Sequence, residues 1–86
     1  MTFDAIVLHV APGRMQAQRL DVTFLASGQE WDGYTWISTY RGQLVGTMLH
    51  QAAKTREKIQ LTTDETVYGV RIVWAQRIEA NKTEVA

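Results

Sequence analysis

The chain contains no cysteine. That excludes a disulfide framework and every metal site built on thiolates. A small domain without such staples relies on packing or on association with further copies, so a homo-oligomer is expected. No apolar run approaches the roughly 20 residues that span a bilayer, and no membrane partner is expected. The opening Met1-Thr-Phe-Asp4 lacks the basic segment of a signal peptide, which points to a cytoplasmic location. There is no excess of charge of either sign: nine Lys and Arg balance nine Asp and Glu. A domain dedicated to duplex binding usually carries a basic excess, although a local groove can be positive on a neutral protein.

Catalytic patterns are missing as well. Ser27 and Ser38 stand outside any Gly-x-Ser-x-Gly context. Gly42 and Gly46 are not followed by the Gly-Lys-Ser/Thr of a phosphate loop. His9 and His50 are far apart and lack a ligand spacing. Asp64 and Glu65 form a lone acidic pair. The expectation is a non-catalytic protein with no metal and no cofactor.

At 86 residues the chain is read as one domain, 1–86, with a polar tail, 79–86, that is expected to fray. Phe3 to Val10 reads as a strand with Ile6, Leu8 and Val10 on one face and Ala5, Val7 and His9 on the other. Ala11 to Arg14 reads as a turn, and Met15 to Arg19 is either a helical turn or a loop. Leu20 to Ala26 is a second strand, with Leu20, Val22, Phe24 and Ala26 sharing a face. After a loop from Ser27 to Glu30, Asp32-Gly33 carries a hairpin-turn signal. Tyr34 to Tyr40 is a third strand of β-prone residues. Gln43 to Lys54 reads as a helix with Leu44, Val45, Met48, Leu49 and Ala52 on one stripe. Lys58 to Thr62 is a fourth strand, and Thr63 to Thr66 a polar turn. Val67 to Ile78 is the fifth, with Tyr68, Val70, Ile72, Trp74 and Ile78 on one face and Arg71, Val73, Ala75 and Arg77 on the other.

The order β-β-β-α-β-β leaves sheet edges that must be closed or covered. The expected fold is mainly β: a five-stranded, partly open Greek-key barrel of OB type, with one helix between strands 3 and 4. An open sheet packed on the helix, pairing through an edge, is the alternative.

Aromatic and basic residues interleave on these strands. Single-strand binders stack bases on exposed rings beside a positive groove. Trp31, Tyr34, Trp36 and Tyr40 are the candidate platforms, and Arg19, Arg41, Arg71 and Arg77 the candidate phosphate partners. The competing reading for Trp36 and Trp74 is the core, where large aromatics bury much of a small domain's apolar area. Tyr34, Trp36 and Tyr40 fall on one face of strand 3, and Thr35, Ile37 and Thr39 on the other; which face points inward stays open. Lys54, Arg56 and Lys58 at the helix exit complement the helix C-terminus.

Trp36, then Tyr40-Arg-Gly-Gln-Leu44 leading into a helix, then a basic link, Lys54 to Lys58, and Ile59-Gln-Leu61 form a sequence of features over about a third of the chain. It resembles the central part of bacterial-type single-stranded DNA-binding proteins. The resemblance implies an OB fold, single-stranded nucleic acid (DNA in preference) as partner, and a reduced, phage-like member of that group. The alternative function is a protein-interaction module or structural subunit that binds through a sheet edge or an aromatic patch.

Overall fold

The computed structural model describes residues 1–13 and 18–78. Arg14, the Met15 to Ala17 part of the ambiguous segment and the tail 79–86 lie outside the described residues. The elements run β1 (Thr2–Pro12), β2 (Arg19–Ala26), β3 (Gln29–Trp36), α1 (Tyr40–Thr55), β4 (Lys58–Thr66) and β5 (Gly69–Arg77).

The strands close into a barrel in the order β1-β2-β3-β5-β4. Strand β1 makes this closure possible because it serves two neighbours. Its first half, Thr2 to Ile6, pairs with β4, and its second half, Ile6 to Pro12, pairs with β2. The ring is thinnest at β3–β5, a parallel link of two residue pairs, Gly33↔Val70 and Tyr34↔Arg71. Among the described residues this is a five-stranded closed barrel with one helix between the third and fourth strands, the OB-type arrangement.

Period-2 alternation explains most of the interior. Leu20, Val22, Phe24 and Ala26 of β2 all point inward and are buried. Two bulges break the alternation elsewhere. In β1 the register jumps between Val7 and His9, so Leu8 is the extra residue. In β5, Thr62 faces Trp74 and Thr63 faces Ile72, so Val73 is extra. Ile72 and Ala75 therefore both lie inside, at 1% and 4% exposure. The expected single face of Ile72 and Trp74 is split by this bulge: Trp74 shares the outer side with Thr62. One inserted residue inverts every side chain beyond it, and no simple alternation carries that signal.

Strand 3 is displaced from its expected span. The β2–β3 turn is Ser27-Gly28, with φ of 54° and 76°. Two consecutive positive φ values are the mark of the tight hairpin turn that suits strand twist. Asp32-Gly33 is therefore not a turn but lies inside β3, where Gly33 faces Val22. The Thr63 to Thr66 segment likewise continues β4, and the turn falls at Val67-Tyr68.

Helix α1 starts at Tyr40, not Gln43, because Thr39 caps it: its hydroxyl accepts the Gly42 N–H at 3.0 Å. It ends on Arg56 in the left-handed region, whose N–H returns to the Ala52 carbonyl. Val45, Leu49 and Ala52 are buried against the barrel, whereas Leu44, expected on the same stripe, is 45% exposed. At Gly42 the helix meets the end of β3 so closely that a Cβ there would lie inside the Trp36 carbonyl. Gly42→Ala is thus expected to lower stability by about 2 kcal/mol, since the backbone must move to admit one methyl. Urea unfolding measures this; an unchanged midpoint would mean the helix does not approach β3 here.

Candidate nucleic-acid interface

The pairing of β2 with β3 decides which rings face out. Leu20 pairs with Thr35 and Phe24 with Trp31, so Thr35 and Trp31 lie on the inner side. Arg19 pairs with Trp36 and Asp21 with Tyr34, which places Tyr34 and Trp36 on the outer side. The Thr35 face is therefore the interior one, and Thr35 is 3% exposed.

Tyr34 is nevertheless buried, at 2% exposure. The Arg19 guanidinium covers its ring, 4.4 Å from the centroid, and the Trp36 ring meets it edge-on at 5.7 Å. Its phenol lies 2.6 Å from the Thr66 hydroxyl at the base of the β4–β5 turn. That hydroxyl donates to the Gly69 carbonyl and accepts from the Tyr68 N–H, so the phenol is the donor to it. Tyr34 is a buttress that joins the hairpin to β3, and Trp36, half-buried, is the ring left at the surface.

Beyond Tyr34 and Arg71 the β3 and β5 strands part, because their ladder has ended. The N-terminus of α1 fills one side of the gap. A cleft of about 420 Å³ remains, lined among others by Trp36, Ser38, Thr39, Arg41 and Arg71. Arg41 lies over the Trp74 ring, 4.8 Å from its centroid, and its Nε reaches the Val73 carbonyl at 3.4 Å. Neither Arg41 nor Arg71 is ion-paired among the described residues, whereas Arg19 is held by Asp21 at 2.7 Å. A flat ring, two unneutralised guanidinium groups and a hydroxyl-lined wall can hold a base and the phosphates beside it. The surrounding surface also carries acid. Asp32 accepts from Thr23 on the outer side of β2–β3, and Asp64 lies opposite Arg71.

Of the residues singled out in the sequence, Trp36, Arg41 and Arg71 come together in one cleft, with Arg19 and Tyr34 adjoining them. Tyr40 is not on strand 3 but is the first residue of α1, 77% exposed. Trp31 is not in a loop beside Trp36: it lies in β3 on the inner side, at the barrel end far from α1. Arg77 sits at the last position of β5, six residues past Arg71 and so roughly 20 Å along the strand, with Glu57 at 3.8 Å. Two participants escaped the sequence reading. Trp74, read as core, is the floor beneath Arg41, and Thr66, read as turn, holds Tyr34. The Thr66-x-x-Gly69 turn pattern was the available signal for the second.

On the opposite flank His9 and His50 line a second cleft together with Lys54. Among the described residues no group of three or more His, Cys, Asp or Glu is arranged to hold a metal ion, and no helix is long and apolar enough to cross a membrane. The chain matches no family model, no curated protein and no solved structure.

Proposed function

We propose that this barrel binds single-stranded nucleic acid, DNA in preference, without strong choice of sequence and without catalysis. A base stacks on Trp36, and the flanking phosphates are held by Arg41 and Arg71. The observation that carries the reading is that Trp36, Arg41 and Arg71, 35 positions apart from first to last in the sequence, line a single cleft. The loose likeness of the Trp36 to Leu61 segment to single-stranded DNA-binding proteins supports the same reading. A cleft of about 420 Å³ has room for one or two nucleotides. Tight binding then calls for several copies along one strand, which raises affinity without new contacts. A homo-oligomer acting in the cytoplasm is part of the proposal.

A titration of fluorescently labelled oligo-dT followed by anisotropy tests it. Two phosphate contacts on a single strand give a slope of about −1.4 for log affinity against log salt. A rise from 50 to 200 mM salt is therefore expected to weaken binding roughly sevenfold. No binding at the lower salt would remove the proposal. A protein-interaction role draws on a different surface, the open end of the barrel.

A further inference from the structure

Helix α1 closes one end of the barrel; the other end is open. There β1, β2 and β3 each bring an aromatic side chain to the mouth. Phe24 faces Trp31 across the β2–β3 ladder, and the Phe3 and Phe24 rings lie 5.8 Å apart. Together with Val70 they line a cavity of about 510 Å³, a size that accepts one or two large side chains or a small organic molecule. Trp31 is 45% exposed, yet its indole N–H already donates to the Ala26 carbonyl at 3.1 Å. The ring is thereby fixed, and what it offers to a partner is apolar surface.

The rim is net negative. Asp64 and Glu65 border the cavity, both exposed, and neither is ion-paired among the described residues. No Lys, Arg or His side chain lines it, and the Met1 α-ammonium, a single positive charge against the two carboxylates, donates to the Thr63 carbonyl at 2.8 Å. More apolar side chains stand in the β4–β5 turn. Val67 and Tyr68, in the turn that follows Glu65, are 93% and 70% exposed. Exposed apolar area of this kind marks an interaction site. Phosphates of a nucleic acid or of an anionic membrane are repelled by the two carboxylates.

We infer that the open end of the barrel is a docking site for a segment of a partner protein that inserts an apolar side chain between Phe3, Phe24 and Trp31 and sets Lys or Arg against Asp64 and Glu65. The anchor side chain supplies the buried area, and the basic flanks supply selectivity and faster association. This site has a lining different from that of the Trp36 cleft, although the two meet on β5, where Val70 faces the cavity, Arg71 lines the cleft and Asp64 lies opposite Arg71.

The test uses the full chain, labelled with nitrogen-15, and two short synthetic peptides. Both have the same Leu-Phe centre; one is flanked by Lys and Arg, the other by Glu and Asp. The basic peptide is expected to shift the amide signals of Phe3, Phe24 and Trp31 and to bind at least tenfold more tightly than the acidic one. Asp64→Lys with Glu65→Lys, both at exposed positions that leave the core intact, is expected to reverse that preference. Equal affinity for the two peptides, or shifts that map outside the cavity, would overturn the inference. So would a concentration-dependent shift of the same amides without peptide, which would make a second copy of the chain the occupant. Oligo-dT is expected to leave these amides unmoved. If dT shifts them the inference fails, and if dT binds nowhere the nucleic-acid reading fails while the peptide result stands.

Discussion

Leu49→Ala is expected to destabilise the protein by about 3–4 kcal/mol, the range for a large-to-small change in a site that cannot collapse. Leu49 is 0% exposed, on the helix that closes the barrel end, in one cluster with Val7, Ile59, Leu61 and Ala75. The surrounding strands belong to a closed ring and cannot move inward to fill the vacated volume. A domain of this size holds roughly 4–13 kcal/mol in total, so the variant retains a fraction of that and melts about 15–30 °C lower. The comparison is Leu44→Ala on the same helix, where the side chain is 45% exposed. That change is expected to shift stability by under about 1 kcal/mol. Equal losses in the two variants by urea unfolding would mean that α1 packs on a different face.

The second large effect concerns binding. Arg41→Gln combined with Arg71→Gln is expected to weaken oligo-dT binding roughly 100-fold at low salt, at about 1.5 kcal/mol for each charge-assisted contact removed. The salt slope is expected to fall from about −1.4 to near zero, because both phosphate contacts are removed. Arg77→Gln serves as the control. Arg77 is exposed at the far end of β5, near Glu57 and outside the cleft, so both affinity and slope are expected to stay as in the parent chain. If Arg77→Gln weakens binding as much as the double variant, the phosphates follow another track.

The barrel was legible because its signals are local. The alternation of Leu20, Val22, Phe24 and Ala26 and the spacing of Val45, Leu49 and Ala52 reflect burial on one side of a regular element, and the structure has both. The helix between two groups of strands then leaves few ways to close the sheet. What misled was register. Asp32-Gly33 has the composition of a tight turn, yet Ser27-Gly28 takes that role, and β3 begins five residues before the Tyr34 read from the sequence. The turn that matches strand pairing wins over the better turn dipeptide. In β5 the extra Val73 turned Trp74 outward, beneath Arg41.

The candidate site shows the same division. That Trp36, Arg41 and Arg71 belonged together could be proposed from residue type, but which rings accompany them depends on strand parity. Trp31 and Trp36 are five apart, an odd number, and so fall on opposite sides of β3. Tyr34 shares the outer side with Trp36 but is covered by Arg19 and tied to Thr66. Burial of a ring therefore did not identify the inner face of its strand, since the hairpin and a cation cover this one from outside.

The central claim is that a base stacks on Trp36. In a variant carrying Trp31→Phe and Trp74→Phe, Trp36 is the one remaining tryptophan, and its emission reports on the cleft alone. Oligo-dT is expected to quench that emission saturably at low salt, with the same midpoint as the anisotropy titration, and added salt is expected to restore it. An oligonucleotide that binds by anisotropy while Trp36 emission stays unchanged would contradict the account.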